Sequence, residues 1–259
     1  MKQESGKIGG AALKSHFFPT ISMIKTVKKS DMKLIGSITL NNYIGGLNPD
    51  AIYASANLSE YPIIVWFPTI HAKNFLEKSE FEIPSEWVSD PKFRSRKSSE
   101  IRPIIITENG KVTEQTKKVL EAIKNTGSIL ATGHITWQEA EILAKEALKM
   151  RIKTILTHPI YQRINMPVNV QKRLVKMGAY SETCFSMYFI DKIPIEKIVS
   201  QIKEIGAEGM IISSDVGQAF AKPPSEALEE FATLLSKNGI SEKELRTMMV
   251  DNPSKLITK

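Results

Sequence analysis

The sequence lacks several features that would assign it to a familiar class. It has one cysteine, Cys184, so an internal disulfide framework is excluded. No apolar run approaches the roughly 20 residues that a membrane-spanning helix needs. The N-terminal stretch "MKQESGKIGG" is polar and has no apolar core of the kind that signal peptides carry. We therefore expect a cytoplasmic protein with no membrane partner.

Two further absences concern nucleotide binding and domain number. The segment Asn42–Pro49 has two glycines, but no Gly-Lys-Ser/Thr follows them, so it predicts a sharp turn and not a phosphate-binding loop. No internal repeat and no linker rich in Pro, Gly or Ser divides the chain. A hydrophobic content of 42% is enough for a sizeable core. The sequence predicts a single domain over residues 1–259.

The charge is basic, with 35 Lys and Arg against 28 Asp and Glu, which gives a formal net charge of +7. Such a balance can indicate nucleic-acid binding. Here, however, most lysines recur among glutamates, as in "LEKSEFE" and "QIKEIGAEG". We favour a solvated surface and keep nucleic-acid binding as a minor alternative. The positive electrostatic field of the protein also favours an anionic small-molecule substrate.

Short apolar runs alternate with amphipathic segments along the whole chain. Runs rich in β-branched residues and without polar alternation are typical of strands buried on both faces, as in parallel sheets. Seven such runs are present: Gly9–Leu13, Leu34–Leu40, Ile63–Phe67, Ser128–Thr132, Thr154–Thr157, Ala179–Thr183 and Gly209–Ser214. The alternation predicts an α/β fold, either a (β/α) barrel of TIM type or a doubly wound sheet.

One connection is longer than the others and interrupts this rhythm. It spans about residues 76–112, between the third and fourth runs. Within it, Asn109 and Gly110 lie between short β-rich stretches, a pattern that predicts a tight hairpin. We expect an insertion that contains a hairpin.

Polar residues that bind metals follow the predicted strands on one side of the sheet. Ligands of parallel α/β proteins bind at the carboxyl ends of the strands. All four histidines, a lysine and one carboxylate follow a predicted strand, and a second carboxylate lies at the end of one. These residues are Lys14, His16, His71, His134, His158, Glu182 and Asp215. Neutral imidazole together with carboxylate suits zinc, manganese, iron or nickel, and we favour zinc.

The members of this set differ in how strongly the pattern supports them. His134, His158 and Asp215 are the best candidates for metal ligands. His71 lies several residues beyond its strand, so it either faces substrate or caps the loop. Glu182 is equally compatible with a metal ligand, a substrate contact or a buried hydrogen-bond partner.

Two other glutamates have a structural explanation. Glu139 follows Thr136 by three residues, and Glu244 follows Ser241 by three. Both pairs have the spacing of a capping box at the start of a helix. We therefore leave both glutamates out of the predicted site.

The ordered motifs resemble the amidohydrolase-type metal-dependent hydrolases, which are distorted (β/α)8 barrels. "TGH" with His134, "THP" with His158 and "SSD" with Asp215 occur in the order of that superfamily's strand-end ligands. The tail "MMVDNPSKLI" is similar to a common ending of these proteins. The segments "LKSHFFPT", "LNNYIGGLNP", "VWFPTIHA" and "ILATGH" further resemble an uncharacterised amidohydrolase-related family of prokaryotic cytosolic proteins.

The resemblance implies a metal-dependent hydrolase that activates water to cleave a small amide, ester, lactone or phosphoester. It implies that Asp215 shuttles the proton and that His134, His158 and Asp215 hold a divalent metal, with His16 as a stand-in ligand. Lys14, His71 and Glu182 are then expected to contact substrate. Two alternatives stay open: a barrel that binds a metal or small molecule without catalysis, and the nucleic-acid-binding protein.

One motif of the superfamily has no counterpart here. Its first strand ends in a His-x-His pair, whereas this chain opens where the first helix should finish. The sequence thus predicts an incomplete, open barrel in which Gly9–Leu13 and Gly209–Ser214 flank a gap. We expect Met1–Lys7 or a second copy of the chain to cover the gap, or residues upstream of Met1 to complete the barrel.

Overall fold

The computed structural model describes residues 8–27, 32–84, 95–218 and 220–258. The strands are β1 (Gly10–Ala12), β2 (Lys33–Ile35), β3 (Ser37–Thr39), β4 (Ile64–Trp66), β5 (Thr107–Glu108), β6 (Lys111–Val112), β7 (Ile129–Ala131), β8 (Thr154–Leu156), β9 (Tyr180–Cys184) and β10 (Met210–Ser213). The helices are α1 (Ile21–Thr26), α2 (Pro49–Asn57), α3 (Lys73–Leu76), α4 (Glu114–Thr126), α5 (Trp137–Lys149), α6 (Val168–Lys176), α7 (Phe185–Phe189), α8 (Ile195–Ile205), α9 (Pro224–Lys237), α10 (Glu242–Arg246) and α11 (Asn252–Ile257). Short 3-10 helices lie at Asn42–Ile44, Ser98–Glu100 and Ala207–Gly209, and a π-helical turn lies at Thr247–Asp251. None of these helices, over the residues described, is long and apolar enough to cross a membrane.

The strands predicted from the apolar runs pair side by side and in parallel. Six of them form one sheet in the order β10-β9-β8-β7-β4-β3. The run predicted at Leu34–Leu40 is divided by Gly36 into β2 and β3, and these two strands pair with different neighbours, β1 and β4. Every predicted run contains a strand, and the α/β class is confirmed.

The two ends of this series of strands are β1 and β10. Within the described residues no hydrogen-bonded pairing joins β1 to β10. The hydrogen-bonded sheet is therefore open where the sequence predicts a gap. Met1–Lys7, the predicted cover for this edge, lies outside the described residues.

The tail motif fastens the C-terminal helix beside β10. Asn252 is fully buried, and its side-chain amide donates to the carbonyl oxygens of Met210 at 2.8 Å and Ala207 at 2.9 Å. These bonds satisfy backbone carbonyls at the start of β10, at the end opposite the predicted site. The motif thus has a structural role in this chain.

Alternate residues of the strands divide the core into two layers. Val65, Leu130 and Leu156 belong to a large cluster that also contains residues of the helices. Residues next to them in the strands face the other side of the sheet and form a smaller cluster with Leu256 of α11. Its strand residues are Ile35, Ile64, Trp66, Ile129, Ala131, Ile155 and Ile211. Strands that are buried on both faces in this way explain the continuous apolar runs of the sequence.

The long connection between β4 and β7 contains the predicted hairpin. β5 and β6 pair in antiparallel register, with Thr107 opposite Val112. Asn109 and Gly110 have φ angles of 51° and 72°, the left-handed values that a two-residue hairpin turn requires. The hairpin is confirmed; residues 85–94 of the same insertion lie outside the described residues.

Both predicted capping boxes are present. The Thr136 hydroxyl accepts from the Glu139 backbone N–H at the start of α5, and the Glu139 carboxylate accepts from the Thr136 N–H. Ser241 and Glu244 do the same at the start of α10. These glutamates are therefore structural, as the spacing predicts.

Candidate active site

The carboxyl ends of the parallel strands bring the predicted residues to one edge of the sheet. The His134 ring lies between two others, with its centroid 6.0 Å from that of His16 and 5.0 Å from that of His158. On the same edge, the Lys14 Nζ lies 3.6 Å from Asp215 Oδ1. Residues far apart in sequence thus form one cluster, which we call the histidine cluster.

The turns that carry three of these residues adopt unusual backbone conformations. His158 and Asp215 have positive φ angles of 24° and 47°, in or near the left-handed region that residues other than glycine rarely adopt. Gly133, just before His134, has φ 67°, and a Cβ atom there would lie 2.2 Å from the carbonyl oxygen of Phe67. Only glycine fits this close approach of two loops. Strain of this kind concentrates at functional sites.

The histidines of the cluster are neutral near pH 7. Burial is the largest cause in each case: it lowers the pKa of His158 to about 4, and together with the Lys14 charge it lowers the pKa of His16 to about 3. Burial, reinforced by His158, also holds the pKa of His134 well below its ordinary value. Neutral imidazole is the form that binds metals.

Two ring nitrogens in the cluster have no hydrogen-bond partner. The Nδ1 atoms of His134 and His158 are buried, and no group in the described part of the chain bonds to either. A buried polar atom left unsatisfied is costly, so such atoms call for a ligand. The donor types fit a divalent metal ion. Across residues 8–27, 32–84, 95–218 and 220–258, however, no three His, Cys, Asp or Glu side chains already form a ready-made metal cage.

Asp215 is the ionised carboxylate of the cluster. Burial alone would raise its pKa, but the Lys14 ammonium and His158 hold the pKa below its ordinary value. The Ser186 hydroxyl donates to Oδ2 at 3.1 Å, and the side chain keeps 30% of its surface exposed. Asp215 can therefore accept a proton at neutral pH while remaining open to a small molecule.

Glu182 lies within β9, as the predicted run Ala179–Thr183 has it. Its carboxylate accepts from the backbone N–H of His158 at 3.3 Å and from the Ser213 hydroxyl at 2.9 Å. Burial, followed by the charge of Asp215, raises its pKa. Of the three roles considered for Glu182, these bonds support that of a buried hydrogen-bond partner.

Residues that sequence reasoning missed hold His16 in place. The Thr69 hydroxyl is hydrogen-bonded to His16 Nδ1 at 2.8 Å. The Asn41 side-chain amide donates to Thr69 Oγ1 at 2.8 Å and to the His16 carbonyl at 3.0 Å. Asn41 and Thr69 follow β3 and β4 within a few residues, so the strand-end rule that located the histidines could also have located them.

Lys14 and Trp66 form the side of the cluster nearest the smaller core. The Lys14 ammonium lies 5.3 Å from the centre of the Trp66 ring, within range of a cation–π interaction. The Lys14 side chain is only 17% exposed. A fixed positive charge therefore lies beside Asp215, where it could attract an anionic group.

His71 does not join the histidine cluster. Its Nδ1 accepts from the backbone N–H of Asn42 at 3.0 Å, so its Nε2 carries the proton and donates to Glu82 at 2.5 Å. Glu82 also accepts from the Tyr43 hydroxyl at 2.6 Å and from both Nε and Nη2 of Arg96. Both ring nitrogens are engaged, so we withdraw the predicted substrate contact of His71. The fourth histidine instead fastens the insertion to the barrel.

We expect Glu82→Gln to lower the free energy of unfolding by about 3 kcal/mol, because Glu82 is itself buried and the buried His71 ring, with Tyr43 and Arg96, would lose a charged acceptor. Burial alone would raise the pKa of Glu82, but bonds from Arg96, Tyr43 and His71 lower it from 4.5 to about 2. The carboxylate therefore stabilises the fold above about pH 4.5, and this contribution is lost as the pH falls towards 2.

Urea unfolding of the wild type and the variant at pH 7 and pH 3 measures this effect. The difference between the two proteins should shrink at the lower pH. Glu77→Gln, which changes a carboxylate that is 63% exposed, is the matched control and should be nearly neutral. An equal cost for the two substitutions would contradict the assigned role of Glu82.

The sequence matches the model of one protein family over residues 1–182, described as a family of unknown function, DUF6282. The chain belongs to this family. A comparison with curated proteins gave no match.

Comparison with solved structures concerns the fold alone. The structure is similar to an amidohydrolase from Pseudomonas aeruginosa, with a TM-score of 0.57 at 10% identity over 98% of this chain and 79% of that one. Lower similarity is found to a phosphotriesterase homology protein from Escherichia coli (TM-score 0.46, 15% identity, 85% and 83% of the two chains). An organophosphorus hydrolase from Deinococcus radiodurans is comparable (TM-score 0.45, 13% identity, 82% and 75%). The first similarity supports the fold, a TIM-barrel-like α/β architecture, and identities this low carry nothing further.

Proposed function

We propose that this protein is a metal-dependent hydrolase of a small molecule. The metal would be held by His134, His158 and Asp215, with His16 as a further candidate ligand. The observation that carries the proposal is the pair of buried, unpartnered Nδ1 atoms of His134 and His158 beside an ionised aspartate. Histidine nitrogens and a carboxylate are favourable ligands for zinc, and manganese, iron and nickel are the alternatives.

A divalent metal at this site would lower the pKa of a water molecule and polarise the scissile carbonyl or phosphoryl group. Asp215 would accept the proton of that water and return it to the leaving group. Ser186, which donates to Asp215 Oδ2, would keep the carboxylate oriented. Lys14 would attract an anionic group of the substrate. Glu182 would hold the loop of His158 by accepting from the His158 backbone N–H, and it stays a candidate for contact with the substrate.

We expect His134→Asn and His158→Asn each to lower zinc affinity at least about 100-fold, since loss of a ligand should exceed the 10–100-fold cost of losing an outer partner. His16→Asn should cost less, because the bond from Thr69 to Nδ1 leaves only Nε2 of His16 for a metal, and His16 is the further candidate ligand rather than one of the first three. The measurement is competition dialysis of the purified protein with zinc and a chelator. Unchanged zinc affinity in His134→Asn and His158→Asn would contradict the proposed metal site.

The catalytic part of the proposal needs a separate test. Zinc-loaded protein is assayed against a panel of esters, lactones, amides and phosphoesters. If the protein turns over a substrate, and a chelator abolishes this turnover and zinc restores it, the proposed hydrolase activity is supported.

A second candidate is a barrel that binds a metal or small molecule without catalysis. One observation favours it: the Lys14 ammonium lies 3.6 Å from Asp215 and already neutralises the carboxylate that would have to accept the proton. Tight metal binding with no turnover on any member of the panel would select this candidate.

A further inference from the structure

A pair of exposed aromatic rings lies beside the histidine cluster. Phe17 directly follows His16 and is 41% exposed, and Tyr43 is 42% exposed. Large apolar side chains are normally exposed singly and need no explanation. These two pack on each other, with ring centroids 5.6 Å apart. We call this pair the aromatic ledge.

The ledge is continuous with the cluster. The Phe17 ring meets the His16 ring edge-on at a centroid distance of 6.4 Å. The His16 ring in turn lies 6.0 Å from that of His134. The His16 ring therefore joins the ledge to the histidine cluster.

The ledge is also held rigidly. The Tyr43 hydroxyl donates to the buried carboxylate of Glu82 at 2.6 Å, which fixes the ring. The backbone N–H of Phe17 donates to the Ser15 hydroxyl at 3.1 Å, which fixes the turn that carries the second ring. Groups that are already ordered lose little entropy on binding, so a rigid ledge is suited to recognition.

We propose that the ledge binds a planar apolar group of the substrate, next to the bond that is cleaved. The substrate class is then an aryl-substituted ester, amide, lactone or phosphoester. Planar rings pack favourably on aromatic side chains through offset or edge-to-face contacts. A protein partner would need about 800 Å² of surface, far more than two rings offer. This inference rests on the proposed function, because it assumes that the histidine cluster holds the reacting group.

The test uses unreactive phosphonates on the zinc-loaded protein, with bound zinc measured first. Phenylphosphonate is expected to bind about tenfold more tightly than methylphosphonate by calorimetric titration, a difference of about 1.4 kcal/mol. Cyclohexylphosphonate, which is apolar but not planar, should fall between them. Phe17→Ser should remove most of the preference for phenyl. Leu58→Ser, at a site that is 53% exposed after α2, should leave the preference unchanged.

The outcomes separate the ledge from the proposed function. Retained zinc with equal affinity for the phenyl and methyl compounds overturns the ledge and leaves the metal site standing. A preference that survives in Phe17→Ser also overturns it. A Phe17→Ser variant that changes oligomeric state but not the preference assigns the rings to a protein interface and overturns the ledge. If the wild-type protein holds no zinc and binds none of the phosphonates, both the proposed function and the ledge are overturned.

Discussion

Asp215→Asn is expected to abolish hydrolysis, with a loss of about 10²–10⁴-fold in turnover, and to leave the fold intact. Asparagine has nearly the same shape and its side-chain oxygen can still accept from Ser186, which now donates at 3.1 Å. An amide cannot take a proton from water. The Lys14 ammonium would lose its negative partner at 3.6 Å, so the cluster would also become more positive.

Thermal unfolding beside a rate assay on the best substrate of the panel checks this expectation. The control is Asp251→Asn, which changes a 43% exposed carboxylate in the π-helical turn. The next residue, Asn252, bonds to Met210 at the start of β10, at the end opposite the cluster. Undiminished turnover in a folded Asp215→Asn protein would remove this residue from the mechanism.

The fold could be predicted from the sequence because its strands are buried on both faces. Such strands are continuous apolar runs, and each run of this kind contains a strand in the structure. The division at Gly36 was not predicted, because the sequence shows one run over Leu34–Leu40, whereas β2 and β3 pair with different strands. The open edge followed from counting the runs.

The site was predictable where a residue lies directly after its strand. His134 and His158 lie within three residues of β7 and β8, so the direction of the strand fixes where each side chain begins. His71 lies five residues beyond β4. At that distance the conformation of the intervening loop, and not the direction of the strand, determines where the His71 side chain lies. Its partner Glu82 belongs to the insertion, and no periodicity or spacing in the sequence links the two.

Gly133→Ala is expected to lower the free energy of unfolding by about 2–5 kcal/mol. The backbone there has φ 67°, which costs an alanine about 1–2 kcal/mol. The new Cβ would also lie 2.2 Å from the Phe67 carbonyl oxygen and 2.7 Å from that of Pro68. The Pro68 oxygen cannot retreat freely, because it accepts from the His134 N–H at 3.0 Å. Relief of the overlap must therefore move His134 or the loop after β4, at a further cost of about 1–3 kcal/mol.

Gly127→Ala separates the two contributions. Gly127 has nearly the same φ, 65°, but a Cβ there would meet nothing within 4 Å. Urea unfolding should therefore show only the backbone cost of about 1–2 kcal/mol for this variant. Zinc affinity should fall in Gly133→Ala, because His134 is displaced, and should stay at the wild-type value in Gly127→Ala. If the two alanines destabilise the protein equally and both keep the wild-type zinc affinity, the contact between the Gly133 turn and the loop after β4 does not position His134.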